Sequence, residues 1–270
     1  MKIIFIILIN IIQINSYILP QTFREWTIIG IENDINKHKP YHYNIGNLPM
    51  VLWYNNTNPQ TIINSCHKHL GNTLKDSYIK SNKLICPFHQ QSYTNEDNMG
   101  SIKKRNGLLW WSYKSFKENP PKIKDGNNNY NFHINSDFIS IILNFICDFD
   151  GNGNEYKFRK NKLLIKKDRD FLIYKYPYTL IYSNKYMINV IPEDINRSNI
   201  YITSLTKTLI SSKEIKRNIE KRYNNFKYKY LLLTPNDKNT YINKIYELYN
   251  NYMFPNDITI QYFLVNRRYY

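Results

Sequence analysis

Between Phe23 and about Tyr113, short runs of Ile, Leu, Val, Trp and Tyr alternate with clusters of Asn, Gly, Pro and Lys. The runs "REWTIIGI", "LPMVLWY", "TIIN", "NKLIC" and "GLLWWSY" predict strands, because β-branched and aromatic side chains fit a pleated, half-buried surface and the flanking residues favour turns. Together they predict a small antiparallel β domain over residues 21–120. The stretch "KENPPKIKDGNNNYN", residues 117–131, reads as a linker from its Pro, Gly and Asn content, which places a boundary near residue 120. In "SDFISIILNFICDF" the apolar residues recur at helical spacing, with Ser136 and Asp137 available as a cap. Strands are expected again at "KLLIKK", "DFLIYKY", "TLIYSN", "YMINVI" and "NIYITSL", and helices at "SSKEIKRNIEKRYNNF" and "DKNTYINKIYELYNNYM". Residues 121–270 therefore predict an α+β domain with a largely antiparallel sheet.

Composition changes this picture little. The 270 residues include no alanine, 8 glycines and 25 tyrosines, alongside dense Lys, Asn and Ile, the mark of A/T-rich codons. The net charge of +16 raises the question of an anionic partner such as nucleic acid. Its lysines are scattered among acids, however, as in "IKKDRD" and "KEIKRNIEKR", and no nucleic-acid-binding motif accompanies them, so a solvated surface accounts for the charge and nucleic acid is not an expected partner. Lys2 and the apolar run Ile3–Ile9 open a hydrophobic leader over residues 1–20, interrupted by Asn10, Gln13 and Asn15. A signal peptide, a membrane anchor and an Ile-rich leader with neither role all fit it.

Cys66, Cys86 and Cys147 make an odd count, which argues against a disulfide scaffold and for a reducing intracellular compartment. Two of them head a pair of motifs. "SCHKHLGNTL" carries Cys66, His67 and His69; separated from His69 by sixteen residues, "CPFH" carries Cys86 and His89. Two thiolates with two imidazoles suit either tetrahedral zinc or a two-iron cluster split between sulfur and nitrogen ligands. Ligand count alone leaves both open, and a zinc-stabilised basic binding module is one of the functional classes to be tested.

The flanking residues add a resemblance. "HLGNTL" and "CPFH", the latter preceded by "NKLI", resemble the two binding loops of a Rieske [2Fe–2S] domain. Upstream "EWTIIGIENDINKHKPYHYNIGNLPMVLWY" and downstream "NGLLWWSYK" resemble the strands that frame this domain in Rieske non-haem iron oxygenases of the ring-hydroxylating type, so roughly ninety residues agree in order. The resemblance implies an all-β Rieske domain followed by a shortened, helix-grip-like α+β domain. It implies a [2Fe–2S] cluster with Cys66 and Cys86 on one iron and His69 and His89 on the other. It further implies one-electron transfer as an oxidoreductase component, with an electron-donor reductase upstream and a small-molecule substrate or acceptor protein downstream. Two positions depart from the family pattern. The residue two before His69 is His67 instead of cysteine, so Cys66 or His67 is the first ligand, with Cys66 preferred. Gln90 stands where the family has glycine, at a position that calls for an unusual backbone angle.

A second iron is another matter. The family's catalytic motif, Asn-x3-Asp-x2-His-x4-His on a helix, falls on "NFICDFDGNGNEY", where Asn144 and Asp148 match while Gly151 and Tyr156 replace both histidines. No histidine follows His133, and a site assembled from His133, Asp148, Asp150 or Glu155 would be oxygen-rich. A vestigial site at Asn144 and Asp148 is therefore expected, with mononuclear iron doubtful; an active monooxygenase with atypical ligands is the alternative. "DFDGNG" also imitates a calcium loop, but its twelfth position is Arg159 where a glutamate is needed. Cys147 reads as a small buried hydrophobe.

Overall fold

The computed structural model describes residues 25–205, except 47, 67–72, 114–118, 122–127, 137, 150–154, 160–161, 176–177, 184 and 195–196, together with Arg217 and Lys221. Three small antiparallel sheets come first. β1 (Thr27–Ile31) pairs with β9 (Leu108–Ser112), and β9 with β8 (Ser101–Arg105). β2 (Tyr41–Ile45), β3 (Leu48–Asn55) and β4 (Asn58–Ile63) form the second sheet, and β5 (Tyr78–Lys80), β6 (Lys83–Ile85) and β7 (Ser92–Tyr93) the third. Two hairpin turns are dictated locally. Asn106 and Gly107, with φ of 55° and 71°, join β8 to β9, and Ser81 and Asn82, at 49° and 62°, join β5 to β6. Two consecutive left-handed residues match the right-handed twist of the flanking strands.

The rest of the chain forms one seven-stranded antiparallel sheet in the order β10-β16-β15-β14-β13-β12-β11. Its strands are β10 (Asn129–Ile134), β11 (Glu155–Arg159), β12 (Lys162–Lys167), β13 (Asp170–Lys175), β14 (Thr179–Tyr182), β15 (Tyr186–Pro192) and β16 (Ser198–Ser204). Helix α1 (Phe138–Phe149) lies against β13 and β15, burying Phe138, Ile141, Ile142, Ile146 and Phe149. That spacing is the three- and four-residue recurrence read from the sequence.

Strands β9 and β3 are among those that face two cores each. On β9, Leu108 and Trp110 join α1 and the large sheet, while Leu109 and Trp111 join Met50, Leu52 and Tyr54 of β3 on the other side. On β3, the remaining Val51 and Trp53 turn into a third core with Ile62, Leu74, Leu84, Tyr93, Cys66 and Cys86. Continuous apolar runs such as "MVLWY" and "LLWW" are what a strand buried on both faces requires. β2 meets the large sheet where the Gly46 amide donates to the Pro192 carbonyl at 2.7 Å and where Tyr41 and Tyr201 are hydrogen-bonded through their hydroxyls. Burial, followed by the Glu193 charge, pushes the Tyr41 phenol up from its ordinary value; burial, followed by Tyr41 and Glu193, does the same to Tyr201.

The structure corrects several expectations. Asn129–Asn131, assigned to the linker, belong to β10, and β2, β5, β7, β8 and β11 were not anticipated. Helix α1 stops at Phe149, and Tyr156 lies on β11, so the stretch matched to the catalytic helix is part helix and part strand. The leader at 1–20 and the helices expected beyond residue 210 lie outside the described residues, apart from Arg217 and Lys221, which are helical. Among the described residues no helix is long and apolar enough to cross a membrane.

Candidate metal centre

Cys66 follows β4, and Cys86 follows β6 directly, so two different hairpins deliver them to one place. Both are fully buried and neither is in a disulfide. His89 closes the group. Its Nδ1 lies 3.6 Å from Cys66 Sγ and 3.8 Å from Cys86 Sγ, and the three donor atoms all lie within 4.8 Å of one another. His67 and His69 lie outside the described residues. Two buried sulfurs and an imidazole nitrogen within 4.8 Å of one another are a donor set that suits a thiophilic metal group, because soft sulfur donors with an imidazole favour such metals.

The second loop is held by its own backbone. The Cys86 amide donates to the Gln91 carbonyl at 2.9 Å, and the Gln90 amide donates to the Cys86 carbonyl at 3.0 Å. Gln90 has φ of 51°, the left-handed conformation that its match to a family glycine anticipated. Its side chain offsets part of that strain, since Nε2 donates to the Pro87 carbonyl at 3.2 Å and Oε1 accepts from the Tyr78 hydroxyl at 2.8 Å.

The first loop is pinned at its foot. Asn64 Oδ1 accepts from the Leu74 amide at 2.8 Å, joining the residue before the loop to the residue after it. Replacing Asn64 with Ala leaves that buried amide without its acceptor and should cost about 1–2 kcal/mol in urea denaturation, with faster loss of bound metal to a chelator. Next along, His42 of β2 bonds to the Lys75 backbone, and burial is the main cause that holds its imidazole below the ordinary value. A group depressed in this way stabilises the fold fully above the unfolded pKa of about 6.5, and the contribution is lost as pH falls through the folded value. Unfolding followed between pH 7 and pH 5 should therefore show a smaller loss of stability in His42→Phe than in the wild type. Neither Asn64 nor His42 was foreseen from the sequence, because each acts on a segment distant in the chain.

No second converging group of His, Cys, Asp and Glu donors occurs among the described residues. Asn144 and Asp148 fall on α1, Glu155 on β11 and His133 on β10, where His133 Nδ1 is 2.8 Å from Glu193 Oε1. Glu193 is also bonded to Arg197 at 2.8 Å, so His133 shares its carboxylate partner with that guanidinium. A cavity at the end of α1 is lined by Phe149, Lys167, Asp168, Arg169, Asp170 and Tyr182, which supply carboxylates but no imidazole. Arg159, the residue that spoils the calcium loop, lies on β11.

Comparison with known proteins agrees with this geometry. Residues 25–110 match the family described as the Rieske [2Fe-2S] domain. Over 66 residues the chain is 26% identical to the oxygenase component of 3-ketosteroid-9-alpha-monooxygenase from Rhodococcus rhodochrous, a match that spans 24% of this chain and 17% of that protein. In solved structures, dicamba monooxygenase superposes with a TM-score of 0.59 at 11% identity, covering 91% of this chain and 99% of the other. NdmA from Pseudomonas putida CBB5 superposes with a TM-score of 0.57 at 12% identity, covering 84% and 88%. Residues 25–110 are therefore a Rieske [2Fe–2S] domain, a unit that binds a two-iron cluster, in a chain similar in fold over most of its length to Rieske non-haem iron oxygenases.

Proposed function

We propose that the protein is a Rieske oxidoreductase component that passes one electron at a time from a reductase to a small-molecule substrate site or an acceptor protein. The observation that carries this reading is the convergence of Cys66 Sγ, Cys86 Sγ and His89 Nδ1 within 4.8 Å. In this reading Cys66 and Cys86 hold one iron and His69 and His89 the other, with His67 as the alternative to Cys66. A [2Fe–2S] group so held supplies a single-electron couple at a potential raised by the two imidazoles. Cys66 and Cys86 exclude water from the inner side through Trp53, Tyr93 and Leu84, which are packed around them. His89 is only partly buried and leaves the outer side accessible to a redox partner.

The same reading divides the chain into a Rieske domain at 21–120 and a shortened helix-grip-like domain at 121–270. That second domain keeps Asn144 and Asp148 but lacks the two histidines of a mononuclear iron site. The active-monooxygenase alternative draws on the fold likeness to dicamba monooxygenase, which extends over nearly the whole of that chain. Metal analysis with EPR on purified protein separates the readings. Two irons per chain with a reduced-state signal of low average g is the expected result, three irons would favour the monooxygenase, and colourless protein with stoichiometric zinc would overturn both.

A further inference from the structure

Three tryptophans are fully buried among the described residues, Trp53, Trp110 and Trp111. Two of them settle their indole N–H groups on the backbone: Trp111 donates to the Met99 carbonyl at 2.8 Å and Trp110 to the Arg105 carbonyl at 3.3 Å. The third, Trp53, has no hydrogen-bond partner for Nε1 among the described residues. A buried donor without an acceptor is costly and rare, and it marks a place that suits an acceptor from outside the chain.

Alternation along β3 fixes which core Trp53 enters. Met50, Leu52 and Tyr54 belong to the second core, whereas Val51 and Trp53 belong to the third, with Cys66 and Cys86. Gln60 lies directly opposite Trp53 across the β3–β4 pair and is itself buried, yet it does not accept the indole proton. Apart from the indole and the Tyr93 hydroxyl, the side chains of this third core hold no heteroatom except the two sulfurs. Neither sulfur accepts from Nε1, and neither does Tyr93. A [2Fe–2S] group held by those two cysteines would bring the missing acceptor with it, as inorganic sulfide.

We infer that the Trp53 indole N–H donates a hydrogen bond to a sulfide of the bound cluster and thereby raises its reduction potential. The inference rests on the proposed cluster and names a residue that tunes it. In the step, the cluster gains one electron and one unit of negative charge, part of it on the sulfides; no covalent bond forms or breaks. A donor fixed in a dry core stabilises the reduced state more than the oxidised one, because its surroundings screen that charge weakly. Trp53 lies on β3, a strand that carries no ligand, so this control is separate from the two loops and adds to the effect of the imidazoles.

The test is a redox titration of the full chain, followed by EPR. Trp53→Phe removes the donor. Placing 3-benzothienylalanine at position 53 by codon suppression also removes it but keeps the shape of the two rings, and this protein decides the matter should Trp53→Phe fail to fold. Val51→Ala loosens the same core and removes no donor. Both donor-free proteins should keep their iron, and their reduced-to-oxidised ratio at a fixed potential should fall about tenfold, a downward shift of about 59 mV for one electron. The sign separates this from loosened packing, since water admitted to the core stabilises the reduced cluster and moves the potential up. ENDOR of the wild type should show an exchangeable proton coupling that both donor-free proteins lack. An unchanged potential in the benzothienylalanine protein would overturn the inference, and so would a downward shift in Val51→Ala as large as that in Trp53→Phe. Wild type without a Rieske EPR signal, recorded before any variant is compared, would instead remove the cluster reading itself.

Discussion

Cys86→Ala should yield protein without a cluster: no visible absorption from iron and sulfide, no low-g EPR signal, and iron falling from about two per chain to near zero. Cys86 is fully buried, its sulfur lies within 4.8 Å of the Cys66 and His89 donor atoms, and alanine supplies no substitute donor. The loss should be almost complete, because a cluster with three ligands keeps an open iron position that solvent and chelators can attack. Cys66→Ala and His69→Ala should behave alike, whereas His67→Ala should retain the iron. Retention in Cys66→Ala with loss in His67→Ala would move the first ligand to His67.

The largest effect on stability away from the metal is expected at Gly100. Its φ of +81° lies where side chains are rarely tolerated. A Cβ there would also meet the Ser112 carbonyl oxygen at 2.4 Å and the Trp111 indole nitrogen at 2.8 Å. Neither neighbour can yield cheaply. Ser112 belongs to β9, and the Trp111 indole N–H donates to the Met99 carbonyl at 2.8 Å inside a fully buried site. Overpacking and left-handed strain together should cost Gly100→Ala about 2–4 kcal/mol in urea denaturation. Gly30→Ala is the contrasting case: its close contact, at 2.6 Å, is with the end of the Ile35 side chain, which can rotate away, so a smaller loss is expected.

How far the sequence disclosed this structure depended on where each strand lies. The anticipated "LPMVLWY", "GLLWWSY", "YMINVI" and "NIYITSL" include β3, β9, β15 and β16, each paired on both sides and rich in buried apolar residues. The strands not anticipated, β2, β5, β7, β8 and β11, are all edges of their sheets, and β10, absorbed into the linker, is an edge too. An edge strand has one paired side and tolerates polar residues, as "YHYNI" and "SIKKR" do, so its hydrophobic signal is weak. The second metal loop was legible because Cys86, His89 and the strained Gln90 lie within five residues. The grip on the first loop was not, since Asn64 and His42 act through contacts 10 and 33 residues along the chain, at Leu74 and Lys75.

The two-faced strands also fix the chain's tolerance to insertion. A shift of β9 by one residue would exchange Trp110 with Trp111, sending the wrong indole into each of two cores at once, whereas a strand with one wet face loses only one set of contacts. β3 is bound in the same way by Leu52 and Trp53. Length changes should therefore be confined over generations to hairpin tips such as Ser81–Asn82, and the spacing between the tryptophan pair and the metal loops should be among the slowest features of the chain to drift.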